Sequence, residues 1–174
     1  MGEKFKEIPL LQQREIEAKV IGPLIRAFSL EFGEERAYEV VRRALKDISR
    51  EAGKELSEKC GGGLESFKKN CIARWNAGGA LESTLKEDSA DCCRFDVTRC
   101  AFAELYRELG YGDIGSVISC ERDAAFLEGF DEGLELVRSK TLMEGGDRCD
   151  FCYRKAAAFN QFRGALKRPS RRSG

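Results

Sequence analysis

Apolar positions recur at near four-residue spacing through the first third of the chain. Between Gln12 and Phe32 they fall at Ile16, Val20, Leu24 and Phe28, which predicts a helix with one apolar stripe. Gly22-Pro23 interrupts that run. Proline lacks the N–H and crowds the preceding turn, so a kink or short break is expected there. Gly33 closes the run in the manner of a C-cap glycine. Glu34 and Glu35 then open a second helix, placing acids at the positive end of its dipole. Its stripe is Ala37, Val40, Val41, Ala44, Leu45, Ile48, Ala52 and Leu56, with charges between. That pattern predicts a core-facing amphipathic helix of about 25 residues. Gly61-Gly62-Gly63 stops it, and Leu64 to Trp75 reads as a third, shorter helix.

The period changes after Asn76-Ala77-Gly78-Gly79. Segments 80–86 and 92–98 bracket Glu87-Asp88-Ser89-Ala90-Asp91, and Phe95 and Val97 alternate with Asp96 and Thr98. This predicts a hairpin with one solvated face. Residues 101–109 predict a helix with Phe102, Leu105 and Tyr106 on one side, capped by Gly110, and 114–130 hold further helical segments. Residues 134–142 alternate, Glu144-Gly145-Gly146-Asp147 turns, and 148–154 return as a second hairpin. The expected fold class is α+β: N-terminal helices packed with a small antiparallel sheet made of two β-hairpins and intervening helices. A single domain is expected over 1–174, with a helical part at 12–76 and an α+β part at 77–156. The basic tail at 163–174 reads as a disordered terminus.

Charge narrows the function classes. Thirty basic and thirty acidic residues cancel, which argues against a dedicated nucleic-acid binder. No long apolar run exists to span a membrane. The opening segment, Met1 to Leu11, lacks the apolar core of a signal peptide, so a cytoplasmic location is expected, with the cysteines as reduced thiols or ligands. The expected partner is a small-molecule substrate, with no nucleic acid and no membrane; self-association into a homo-oligomer is compatible with the sequence.

The chain contains no histidine. Acid–base or nucleophilic chemistry therefore falls to thiols, carboxylates, lysines or tyrosines. Three cysteines stand among charges: Cys100 at the end of a strand-like run, Cys120 in Cys120-Glu121-Arg122-Asp123, and Cys149 in Cys149-Asp150-Phe151. On a helix, Cys120 and Asp123 share a face. A carboxylate beside a thiol can act as a base, but it also raises the thiol pKa, so a thiolate needs a cation nearby. Arg99, Arg122, Arg138 and Lys140 are candidates. The plainer alternative makes Cys120 a small buried hydrophobe and Asp123 a surface charge. Arg138 and Lys140 share one face of the predicted strand, in phase with Leu136 and Leu142. An anionic ligand, a solvated edge, or Asp150 as an internal counter-ion would each account for them. Cys149-x-x-Cys152 has a two-ligand zinc spacing, but i and i+3 on a strand point to opposite faces, and Cys92-Cys93 are adjacent rather than spaced. Zinc is disfavoured on those grounds and no cofactor is expected.

In order and spacing these residues resemble the L-2-amino-thiazoline-4-carboxylic acid hydrolase family. The matching positions are Thr98-Arg99-Cys100, Cys120-Glu121-Arg122-Asp123, Arg138-Ser139-Lys140-Thr141, Gly146 and Cys149-Asp150-Phe151, over about residues 12–155. The resemblance implies a hydrolase that opens a 2-aminothiazoline ring. Such a reaction needs a nucleophile at C2, proton delivery to the departing sulfur or nitrogen, and a cationic clamp for the carboxylate. On this basis Cys120 is expected as nucleophile or water-orienting thiol, with Cys100 and Cys149 near it and Asp123 as the acid–base group. Arg138 and Lys140 are expected to hold the carboxylate, with Thr141 and Asp150 beside them. More distantly, the closing hairpin resembles a small-molecule-binding domain related to 4-vinyl reductases. Some of those domains bind zinc through an acid and cysteines, whose first positions would fall here at Arg138 and Thr141. That likeness supplies the rival expectation, a non-enzymatic ligand or metal sensor.

Overall fold

Two long helices carry the first third of the chain. In the computed structural model, which describes residues 8–156, α1 spans Leu10–Phe32 and α2 spans Glu34–Cys60. Gly33 joins them with φ 86°; its N–H reaches Ser29 O at 3.0 Å and its carbonyl accepts from Ala37 N at 3.1 Å. One residue thus ends α1 and begins α2. No break occurs at Gly22-Pro23: α1 is one continuous helix containing Pro23. Gly22 serves packing instead: a Cβ there would lie 2.4 Å from Cζ of the Tyr111 ring.

The inward face of α1 also differs from the expected stripe. Ile16, Val20, Leu24 and Phe28 are 52, 59, 49 and 43% exposed, while Ala18, Gly22 and Ile25 are buried. Small residues win that face because they let α1 approach its neighbours closely. In α2, Ala37 and Leu45 are buried as expected, but Val40 and Ile48 are exposed and Ser49 and Gly53 take inner positions.

Short helical pieces follow. α3 (Leu64–Phe67) and α4 (Ala73–Trp75) flank a π-helical turn at Lys68–Ile72, and a 3₁₀ turn covers Ala77–Gly79. The chain then forms β1 (Leu81–Asp88), β2 (Cys92–Cys100), α5 (Ala101–Glu108), a second π-helical turn at Ser116–Cys120, α6 (Arg122–Phe130), β3 (Leu134–Val137) and β4 (Cys149–Lys155). The strands make one antiparallel sheet in the order β1-β2-β4-β3, so the two hairpins do share a sheet. Opposed pairs Cys93–Tyr153, Phe95–Phe151 and Val97–Cys149 line its inner face. Phe95 stacks on Phe151 at 5.1 Å between centroids, and Phe67 meets Tyr153 at 4.9 Å. Leu64, Leu127, Phe130 and Leu134 complete this core. A second cluster joins α1, α2 and α5 through Ala18, Ile25, Leu45, Ala103, Tyr106 and Ile114. Residues 8–156 thus confirm the α+β class; the basic tail at 163–174 lies outside the described residues.

The second hairpin is shorter than its alternation suggests. β3 ends at Val137, opposite Cys152, and residues 138–148 leave the sheet. Side chains replace the ladder there. Asp150 accepts from Ser139 N and Lys140 N, both at 2.9 Å, and from Ser139 Oγ at 2.5 Å. Thr141 Oγ1 accepts from Glu144 N at 3.1 Å and donates to Glu144 Oε2 at 2.7 Å. Arg138 and Lys140 therefore do not share a strand face.

Among the described residues, no helix is long and apolar enough to cross a membrane.

Candidate active site

A cavity of about 390 Å³ lies between the N-terminal helices and the sheet. Three of its lining side chains come from positions that local structure makes predictable. Cys100 ends β2 where α5 begins; Cys120 ends the second π-helical turn; Asp123 sits in the first turn of α6. Extra residues in π-helical turns displace side chains from the regular helical rows, and here they deliver Ser119 and Cys120 to the cavity. Arg138 enters from the residue after β3, and Cys149 and Phe151 from the inner face of β4. Cys100, Cys120, Asp123, Arg138 and Cys149 thus all line one space.

Arg138 organises this wall. Its Nη1 donates to Asp123 Oδ2 at 2.7 Å, its Nη2 donates to the Cys120 carbonyl at 2.9 Å, and its guanidinium lies 4.8 Å from the Phe151 ring centroid. Burial opposes its charge, but Asp123 outweighs that and holds the pKa above the ordinary arginine value. Burial pushes the Asp123 carboxyl up, and the Arg138 guanidinium offsets only part of this. A carboxyl so placed exchanges a proton nearer neutrality than an exposed aspartate.

The thiols are not thiolates. Burial raises Cys120 strongly, with Asp123 adding to it and Arg138 opposing. Burial also raises Cys100 and Cys149; the amides of Ala103 and Phe102 pull Cys100 back in part, and Leu142 N, donating to Cys149 Sγ at 3.2 Å, does the same for Cys149. The cation beside them, Arg138, is already matched by Asp123. The thiols therefore present neutral S–H groups to the cavity.

Other expected site residues lie elsewhere. Lys140 is partly exposed and pairs with Asp147 at 2.8 Å; Thr141 is buried but caps the 141–144 turn; Asp150 caps the backbone of 139–140. None of the three lines the cavity. The counter-ion of Arg138 is Asp123, and that of Lys140 is Asp147, rather than Asp150 for both. Arg99 faces away, paired with Glu104 at 2.5 Å. Cys152 points to the opposite face from Cys149, its Sγ 3.7 Å from Cys92 Sγ. Among the described residues, no group of three or more Cys, Asp or Glu side chains is placed to hold a metal ion, and all eight cysteines are free.

Sequence reasoning missed the α1 contribution. Arg14 and Glu17 reach the cavity and meet Arg122, whose bond to Glu17 spans 105 positions. Their only local signal is an i, i+3 opposite-charge pair, which many surface helices carry. It also missed the aromatic lining from Trp75 and Phe126, which meet at 6.1 Å.

Comparison with known proteins bears on this arrangement. The family described as L-2-amino-thiazoline-4-carboxylic acid hydrolase matches residues 13–153. No curated protein matches the sequence. Among solved structures, the phenol-responsive sensory domain of the transcription activator PoxR, in complex with phenol, is similar at 12% identity and a TM-score of 0.46, over 96% of this chain and 86% of that one. The match to residues 13–153 contains every residue of the Cys100–Cys120–Asp123–Arg138–Cys149 wall, and the chain belongs to the L-2-amino-thiazoline-4-carboxylic acid hydrolase family.

Proposed function

We propose that the protein hydrolyses a small cyclic amidine of the thiazoline type, with Asp123 as the acid–base group and water as the nucleophile. The observation that carries this reading is the Asp123 carboxyl, held by Arg138 at 2.7 Å and raised by burial, on a cavity wall with three protonated thiols. Water adds at C2, one proton passing to Asp123 and on to the ring nitrogen. The hydroxyl proton of the adduct then travels through Asp123 to the sulfur or nitrogen that departs as the C2 carbonyl forms. Arg138 fixes the carboxylate's orientation, so it acts as a positioning residue. Cys120, raised further from ionisation than an attacking thiolate requires, is a neutral donor that orients the water or the ring sulfur. Cys100 and Cys149 shape the same wall.

Purified protein supplied with 2-amino-thiazoline-4-carboxylate is expected to add one water to it, followed by mass spectrometry. Asp123→Asn should lower kcat by about 10²–10⁴-fold, the usual worth of a positioned acid–base group. Cys120→Ser, which keeps a small donor, should retain activity within about tenfold, whereas a thiolate nucleophile would lose nearly all of it. Full activity in Asp123→Asn sinks the assignment. Binding without any turnover favours the sensor reading instead.

A further inference from the structure

A second charged group lines the same cavity. Arg14 and Glu17 come from α1, and Arg122 from the first turn of α6. Arg14 Nη1 at 2.6 Å and Arg122 Nη1 at 2.8 Å donate to the same oxygen, Glu17 Oε2, while Gln13 Nε2 donates to Glu17 Oε1 at 3.0 Å. Two guanidiniums therefore share one carboxylate.

This group is unbalanced in charge and in hydrogen bonding. Two cations and one anion leave one positive charge on a largely buried wall; the Arg122 side chain is only 12% exposed. Arg122 Nε is buried and has no hydrogen-bond partner among the described residues. An unmatched buried N–H of a charged group is costly, and a pair of like charges held together adds to that cost. The imbalance registers on both partners. Burial and the neighbouring Arg122 lower the Arg14 pKa. Burial pushes Glu17 up, but the bonds and charges of Arg122 and Arg14 outweigh it and hold Glu17 below the ordinary range. The Arg138–Asp123 pair, by contrast, is already matched one to one. An anion entering the cavity thus finds its unmet donor and its unmatched charge at Arg122 and Arg14, not at Arg138.

We infer that Arg122 and Arg14 form the subsite for the substrate's carboxylate, a small monoanionic carboxylate ligand held in the same cavity as Asp123, with Glu17 as the internal anion it must share them with. This rests on the hydrolase reading above and moves carboxylate recognition away from Arg138 and Lys140. It also divides the labour: one arginine group binds, the other positions the acid–base group. Glu17 keeps both guanidiniums in place before substrate arrives, while competing with it for them.

The test reads binding directly. Trp75 is the sole tryptophan and lines the cavity, so its fluorescence reports occupancy. The probes are 2-amino-thiazoline-4-carboxylate and its 4-carboxamide, titrated into the full chain. Wild type should bind the carboxylate at least about tenfold more tightly than the amide, as a charge-assisted pair provides. Arg122→Gln and Arg14→Gln should each weaken carboxylate binding far more than amide binding and so erase most of that preference. Glu17→Gln should tighten the carboxylate alone, and this decides the matter if an arginine variant fails to fold. Preference that survives both arginine changes, equal loss for both probes, or binding of neither probe overturns the subsite. The two readings separate cleanly. Arg122-dependent preference without turnover leaves the subsite standing and removes the hydrolase. Turnover with a preference that ignores Arg14 and Arg122 does the reverse.

Discussion

Asp123 sits under two opposing influences whose balance sets its chemistry. Burial disfavours the carboxylate; Arg138, at 2.7 Å, favours it, and the charges of Arg14 and Arg122 add to that; burial wins. The sign of the resulting pH dependence is fixed by the role. A general base works when deprotonated, so kcat/KM falls as pH drops through the Asp123 pKa. Because that pKa lies above the ordinary aspartate value of about 4, the acid limb of the profile should also lie above it. Arg138 is the partner that opposes burial at this carboxyl by a direct bond, so Arg138→Gln should move the limb to still higher pH. A limb at ordinary carboxylate pH, or one that stays put in Arg138→Gln, contradicts the role. Cys100, Cys120 and Cys149, all raised by burial, contribute no limb near neutrality. Away from the charged wall, burial takes Cys71 up to about 12, and burial with the Cys152 contact takes Cys92 up to about 11. A high cysteine count therefore does not by itself make a thiolate enzyme. Their neighbours decide, and here the matched Arg138 leaves no cation for a thiolate on that wall to use.

α6 contributes to both charged groups of the cavity, since Arg122 and Asp123 are consecutive on it, so its seating governs the site. That seating is a backbone-to-backbone crossing with α2. A Cβ on Gly53 would lie 2.1 Å from Phe126 O, and one on Gly129 would lie 1.8 Å from Arg50 O. Ser49 Oγ, donating to Arg122 O at 2.9 Å, fixes the same crossing at the start of α6. Gly129→Ala must push the helices apart, and overpacking of this kind costs about 1–3 kcal/mol or more. The denaturation midpoint should fall, and kcat with it as Asp123 is displaced; an unchanged midpoint would show that the helices do not touch there. This crossing also marks where sequence reading stops. Helix existence and order were legible, because periodicity and the Gly33 and Gly61–Gly63 punctuation report them directly. The crossing was not, because a glycine inside a helical run looks alike whether it weakens the helix or admits a neighbour. The 138–148 segment failed for a related reason. Alternation through Leu142 satisfies a strand pattern, but Asp150 and Thr141 satisfy the same backbone groups from their side chains.

At the scale of the whole molecule, the cavity draws on residues from Leu10 to Phe151, so it exists only when α1 is docked in one orientation. The motif cysteines and Asp123 could be picked from the sequence because they are chemically distinctive and close along the chain. Arg14 and Glu17 could not, since nothing local says which side of α1 turns inward. The obvious apolar stripe points the wrong way. Ala18, Gly22 and Ile25 take the inner side, and Arg14 and Glu17 reach the cavity between them and the outward stripe. Adjacent residues give a sharp test of that orientation. Leu24 is 49% exposed and Ile25 is 0% exposed. Leu24→Glu should change stability by no more than about 0.5 kcal/mol, as surface substitutions do. Ile25→Glu buries an unpaired carboxylate and should cost several kcal/mol or abolish folding. Urea denaturation of the two variants separates the cases. A larger loss in Leu24→Glu than in Ile25→Glu would mean that the stripe, not the Ala18–Gly22–Ile25 face, packs inward. Arg14 and Glu17 would then turn away from Arg122, and a cavity built from both ends of the chain would not form.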